Sequence, residues 1–325
     1  MNQKALSLPR PGNGLAVPTT LSGVLAAMFA LTAFVHPGFG PFDLESLALV
    51  ALPLALAALA QMCVVIAGGI DLSLGSTIAL ANVVAARLMQ DADLPTSLLI
   101  VVLVVVVAVI CSMANALIAA VSGIPDVMVT LTTGFIYGGF ALLVLNQPGG
   151  GAPDELLSLV TGGLFGGWIP SALVAIIISV AVIWLPLRRS RLGLYMFAAG
   201  SDQVAALRSG ANPTFGRFIG FAAGGVFAGF AGLGLTFTTG IGSPLGGSFY
   251  TLASVAAITL GGVSLQGGEG GPVGPIIASF ILAFIPMLLI FTNIDPNYGQ
   301  VIQGVILVLV VMIGGMLAKR QQRIK

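Results

Sequence analysis

The chain has 325 residues, 57% of them hydrophobic and only 7% charged, with a net charge of +1. A soluble domain carries about 25% charged residues, so this chain cannot cover itself with a water-facing surface. Composition points to an all-α, polytopic membrane protein and gives no electrostatic footprint for nucleic acid.

Residues 1–17 are polar, include Pro9 and Pro11, and form a short cytoplasmic tail in this reading. Lys4 and Arg10 precede an apolar run from Leu21 to Val35, as in a signal peptide. No small-x-small cleavage site follows, so a retained span over 18–36 is expected. It ends at His36-Pro37-Gly38, and Asp43 and Glu45 fall in the next loop. Span 2, over 46–67, holds Pro53, which lacks the amide proton its helix needs and predicts a kink. That span runs into Ala67-Gly68-Gly69-Ile70-Asp71-Leu72-Ser73-Leu74-Gly75-Ser76, a carboxylate, two hydroxyls and three glycines between two apolar runs. Span 3 covers 73–90 and closes at Asp91-Ala92-Asp93. Span 4, over 96–120, carries the β-branched run Ile100 to Ile110. Lipid offers its backbone no other partner, so helix is expected there too.

A turn at Ser122-Gly123-Ile124-Pro125-Asp126 leads into span 5, over 127–146. Residues 147–166 form a long loop, followed by span 6 over 167–187. Trp168 and Trp184 near its two ends suggest an aromatic belt. Residues 188–217 are too polar to span. Span 7, over 218–239, is rich in small residues and lets helix backbones approach closely. Spans 8 (249–264) and 9 (272–291) are joined by Gly261-Gly262-Val263-Ser264-Leu265-Gln266-Gly267-Gly268-Glu269-Gly270-Gly271, which echoes the first motif. Polar, Gly-interrupted segments at matching positions point to the working centre of a transporter. Span 10 covers 299–317, and a basic tail fills 318–325.

About ten spans put both termini on one side. With that side cytoplasmic, eleven of the twelve basic residues lie inside and only Arg87 lies near the outer face. The acids Asp43, Glu45, Asp91, Asp93, Asp154, Glu155 and Asp295 fall outside. The positive-inside pattern thus supports the span count independently of hydropathy.

Asp71 is the sharpest single residue. A carboxylate at a span centre costs roughly 2.5–3.5 kcal/mol on insertion scales. Three roles are open to it: capping span 3 together with Ser73, acting in a moving switch with Gly68, Gly69, Ser73 and Gly75, or binding a proton or sodium ion. In the loop over 188–217, Ser201 or Asp202 can cap a short helix through Arg208. Gly210 would end that helix and Pro213 would stop its continuation. Such a helix is either a docking surface for a cytoplasmic partner or an ordinary loop helix at the headgroups. Polar residues within spans are Gln61, Asn82, Asn115, Thr130, Thr132, Thr133, Tyr137 and Asn146. Phe135, Phe140, Phe237, Phe249 and Tyr250 can stack on a sugar or face lipid. Gln61, Asn82, Asn115, Thr132, Tyr137 and Phe249 are the candidate substrate pathway. Cys63 and Cys111 lie in apolar runs, and the one histidine, His36, sits at a span end, so no metal site or catalytic triad is expected. No G-x-x-x-x-G-K-[ST] loop occurs, so the chain does not hydrolyse ATP alone.

Several long motifs in order resemble the ribose-type (monosaccharide) permease family of bacterial ABC importers, over residues 45–317. Gly68 to Ser76 resembles the family's GGIDLSxGS signature, and Gly200-Ser201-Asp202 to Ser209-Gly210 its GSNxxAARxSGI loop. Leu260 to Gly271 resembles LGGxSLxGGxG, and Val129-Thr130-Leu131 after Ile124-Pro125 resembles VPxFIVTL. The sequence departs from the pattern with Asp202 for Asn, Leu207 at the usual Arg position with Arg208 next, Gly138 where Arg is frequent, and Asp126 where an uncharged residue is common.

The resemblance implies the ABC importer permease fold, as one transmembrane domain over 18–317 in the bacterial inner membrane. It implies a monosaccharide, a pentose or hexose, as substrate; a nucleoside or branched-chain amino acid permease and an ion-coupled carrier are the alternatives. It implies a second permease subunit, identical or paralogous, a periplasmic sugar-binding protein, and a cytoplasmic ATPase that holds the ATP and magnesium. The ATPase would grip Gly200, Ser201, Asp202, Ala205, Ala206, Arg208, Ser209 and Gly210. The chain itself would be a transport subunit and not an enzyme.

Overall fold

The computed structural model describes residues 16–299, 301–306, 308, 309 and 312. Most of the expected N-terminal tail, the basic tail and part of span 10 lie outside them. In chain order the elements are α1 (Ala16–Val35), α2 (Pro41–Ile66), α3 (Leu74–Met89), α4 (Leu94–Ser122), α5 (Asp126–Val144) and α6 (Asp154–Leu157). A small antiparallel hairpin follows, β1 (Gly163–Leu164) with β2 (Ile169–Pro170). Then come α7 (Ser171–Ser179), a π-helical turn (Val180–Trp184), α8 (Leu185–Arg189), α9 (Arg191–Ser201) and α10 (Gln203–Arg208). The rest is α11 (Pro213–Thr239), α12 (Ser248–Leu260) and α13 (Val273–Phe291).

Among the described residues, seven helices are long and apolar enough to cross a membrane: α1, α2, α4, α5, the run Ser171–Arg189, α11 and α13. Expected spans 3 and 8 form shorter helices of 16 and 13 residues. At 1.5 Å per residue these reach about 24 and about 20 Å, against about 30 Å of hydrocarbon. Each short helix abuts one of the two glycine-rich segments. The two also meet directly: a Cβ on Gly75 would stand 2.5 Å from the Gly247 carbonyl oxygen.

Helices α2 and α11 form the core, with 89% and 72% of their apolar windows buried, against 11% for α1. The small residues of α11 explain its place. A Cβ on Gly220 would stand 2.3 Å from Ala67, one on Gly225 2.6 Å from Val109, and one on Gly232 2.4 Å from Ala81. The helix therefore lies backbone against backbone on α2, α4 and α3, as small residues permit. Pro53 sits inside an unbroken α2.

Two local expectations change. Asp43 belongs to the first turn of α2, where its carboxylate accepts from Gly40 N–H (2.8 Å). Trp184 is fully buried against Phe197 (6.2 Å between rings), so it packs the core instead of marking a belt. Trp168 is 60% exposed. The loop 147–166 is pinned down: Gly149 pairs with Gly242, Gly151 N–H donates to the Ala86 carbonyl (2.9 Å), and Gly162 N–H donates to Glu45. At the start of α4, Asp93 accepts from Thr96 N–H (3.3 Å), and the Thr96 side chain, with that backbone bond second, holds its exposed carboxyl below the ordinary value.

These contacts sort the connections into two ends. At one, His36 stacks on Phe291 and the 147–170 segment meets the start of α2 and the end of α3. At the other, the 67–73 and 261–272 linkers meet the α9–α10 segment, together with Arg188, Arg189, Arg191, Arg208 and Arg217.

Candidate functional site

The three glycine-bearing motifs, far apart in sequence, close on one point at the basic end. Gly68 adopts φ +84°, a left-handed conformation that a side chain would strain, and so turns the chain out of α2. A Cβ there would stand 3.2 Å from Gly200 Cα. Gly200 near the end of α9 is tighter: a Cβ would stand 1.9 Å from the Ile66 carbonyl oxygen and 2.7 Å from Gly268 N. Gly268 N–H donates to that same Ile66 carbonyl (2.9 Å). The last carbonyls of a helix have no intrahelical donor, so the 261–272 linker supplies one while Gly200 sits across the joint.

From this junction the 67–73 linker is fastened residue by residue. The Gln61 amide donates to the Asp71 carbonyl (3.0 Å) and accepts from Asp71 N–H (3.3 Å). Leu72 N–H donates to the Thr130 hydroxyl of α5 (3.0 Å). Asp71 Oδ1 accepts from Ser73 N–H (2.8 Å) and the Ser73 hydroxyl (2.6 Å). Asn115 Nδ2 donates to Ser73 Oγ (2.8 Å), and Tyr137 Oη donates to Asn115 Oδ1 (3.0 Å). The Tyr137 hydroxyl lies equally close to the Cys111 carbonyl (3.0 Å), so its one proton is shared between two acceptors, while Asn115 and Ser73 donate onward to the Asp71 carboxylate. Its geometry differs from a helix cap. Ser73 is the N-cap of α3 but makes no side-chain bond to the first turn, and Asp71 bonds to Ser73 instead. The other carboxylate oxygen, Oδ2, is buried without a partner, as are the Thr77 and Ser112 hydroxyls.

The loop helix forms as expected. The Asp202 carboxylate accepts from Val204 and Ala205 N–H (2.9 and 3.0 Å), and Gly210 leaves α10 at φ +83°. Asn212 then caps α11 through Phe215 N–H (3.3 Å), with Pro213 in its first turn. Ser201, Asp202, Ala205, Arg208, Ser209 and Gly210 are exposed, while Ala206 packs inward.

The candidate pathway residues divide. Gln61, Asn82, Asn115 and Tyr137 are buried and bonded to protein groups, Asn82 to Thr236, Ile241 and Ser243. Thr132 and Phe249 are exposed. Phe249 lines a cleft of about 350 Å³ with Ser248, Leu252 and Gln303. Sequence reasoning missed one pair: Arg217 of α11 bonds to Asp126 at the start of α5. The unusual acid after Pro125 was the available signal, but its partner lies 91 residues away.

A model of the family described as "Branched-chain amino acid transport system / permease component" matches residues 44–311. The chain belongs to this permease family. The permease is 30% identical, over 84% of its length and 83% of the relative's, to the autoinducer 2 import system permease protein LsrD of Enterobacter sp.. It is 27% identical to the ribose import permease protein RbsC of Haemophilus influenzae, over 89% of its length and 90% of the relative's. A third relative, LsrD of Photorhabdus temperata, is also 27% identical, over 84% and 81%. No solved structure matches the permease. These matches bear out the family resemblance carried by the motifs, and with the apolar helices they identify a multi-pass inner-membrane protein.

Proposed function

We propose that this permease is the membrane subunit of an ATP-driven importer that carries a monosaccharide into the cytoplasm. A cytoplasmic ATPase holding ATP and magnesium drives it, a periplasmic binding protein delivers the sugar, and a second permease subunit completes the pathway. In this reading the chain crosses the bilayer about ten times as one domain, and the basic end is cytoplasmic. The similarity to a ribose import permease favours a sugar, and the similarity to an autoinducer 2 import permease is consistent with import of a small solute. The family description favours a branched-chain amino acid as the second reading.

The observation that carries the mechanism is the wedge at Gly200. The exposed, Asp202-capped helix α10 is rooted in a residue with no room between Ile66 and Gly268. Force on residues 200–210 therefore reaches both glycine-rich linkers without slack. Gly68, Gly69, Asp71, Ser73 and Gly75 act as the switch in this reading, and Thr132 and Phe249 are the pathway residues open to solute.

The deciding experiment is a pull-down from native membranes with the permease as bait. An ATPase and a binding protein that co-purify, the latter taking up ribose or another free sugar, support the proposal. A binding protein that takes leucine, isoleucine or valine instead moves the substrate to the second reading. A permease that comes out alone and moves solute in liposomes without ATP is a carrier, and the proposal fails.

A further inference from the structure

Arg217 and Asp126 form the one ion pair found among the described residues, and Asp126 is the acid that departs from the family pattern after Pro125. Asp126 is 7% exposed and Arg217 30%. Drawing the Asp126 carboxylate this far from water is costly unless it is matched, so the partly exposed Arg217 does more than balance surface charge. Its surroundings supply one. The Asp126 carboxylate lies against Gly69, where a Cβ would stand 2.8 Å from Oδ2. Phe221, one helical turn beyond Arg217 on α11, stands 2.9 Å from the same Cβ position. Gly69 is thus held between the two helices that the pair joins.

Both helices have a further grip. Helix α5 takes Leu72 N–H onto Thr130, one turn after Asp126. Helix α11 begins at Pro213, directly after the Asn212 cap and the Gly210 turn that leave α10. Arg217 stands one turn into that helix. Arg217 also lines a cleft of about 310 Å³ together with Thr214, Pro125 and Gly123. The pair therefore borders open space and not packed side chains, so it has room to part. An element with two discrete arrangements is what coupling between sites requires.

From this geometry we infer that Asp126 and Arg217 are positioning residues of the transport cycle, passing displacement of α10 and the first turn of α11 to the 67–73 linker. The inference rests on the reading that an ATPase acts on α10. When the pair is closed, α5, α11 and Gly69 move as one block. When it opens, the linker is released from α11.

The test uses the permease reconstituted with the ATPase and binding protein that co-purify with it, reading solute moved per ATP hydrolysed. Asp126→Asn and Arg217→Gln are each expected to lower that ratio between about 5- and 150-fold, the usual span of coupling between two sites. Co-purification of the ATPase should stay at the wild-type level. The double swap D126R/R217D should recover most of the ratio. A pair that only holds the fold together would lower yield or thermal stability and leave the ratio alone, so single variants with the wild-type ratio overturn the inference. If the single variants fail to insert, hydrogen exchange on the wild-type complex decides. ATP must then raise exchange at residues 67–73 and 126–130 together with 203–217, and a linker that stays protected while α10 exchanges overturns the inference. Absence of any co-purifying ATPase would sink the proposed function itself, a separate outcome.

Discussion

At the residue scale, Asp71 is defined by what donates to it. Both Ser73 groups point at Oδ1, and Asn115 and Tyr137 stand behind them in order. Asp71→Ala leaves the Ser73 N–H and hydroxyl without an acceptor in a dry site, at about 1–3 kcal/mol for each stranded group. Asp71→Asn keeps a carbonyl oxygen in place of Oδ1, and the chain of donors survives. The alanine variant is therefore expected to melt well below the wild type in detergent, with the asparagine variant close to it. The switch role adds a second expectation: D71N folds but transports poorly, because only the charge has gone. A D71N permease with full transport would reduce Asp71 to a structural anchor. Equal melting of the two variants would mean that the donor chain does not hold the linker.

At the element scale, the backbone joint at Gly200 matters more than any side chain around it. Two helices, α2 and α9, and the 261–272 linker share the Ile66 carbonyl, and only a residue without Cβ fits between them. Gly200→Ala forces 1.9 Å and 2.7 Å approaches to backbone atoms, which no rotamer can relieve. Overpacking of this kind costs about 1–3 kcal/mol. Gly139 of α5 has nothing within 4 Å of its Cβ position, so Gly139→Ala is the control. It should be neutral or stabilising by about 0.5–1 kcal/mol, because alanine loses less freedom than glycine in a helix. Thermal unfolding of the two variants in the same detergent checks this; equal midpoints would mean that the joint is loose.

At the scale of the whole molecule, hydropathy and the glycine motifs made most of the bundle legible, because lipid leaves a backbone few choices besides helix. The Asp202 cap, the Gly210 turn and the Pro213 start of α11 were readable for the same local reason. Distance hid the rest. Nothing near Trp184 says that it is buried, nothing in Asp126 names Arg217, and the meeting of Gly68, Gly200 and Gly268 depends on three segments at once. The helices alternate between the two ends, with the acids Asp43, Glu45, Asp91, Asp93, Asp154 and Glu155 at one and the five arginines of the 188–217 segment at the other. That separation makes orientation testable with two cysteines. Ser209 is exposed on the turn after α10, and Phe165 is 81% exposed at the tip of the hairpin. Gly150, in the same long loop, would be a poor choice, since a Cβ there stands 2.4 Å from the Ala86 carbonyl oxygen. With the basic end inside, an impermeant maleimide added to intact cells whose outer membrane has been opened should label Phe165→Cys. It should reach Ser209→Cys only after the inner membrane is lysed. The reverse pattern would invert the molecule and put α10 beyond the reach of any cytoplasmic ATPase. Labelling of both from outside would mean that an even number of crossings, and not the single run Ser171–Arg189, separates residues 165 and 209.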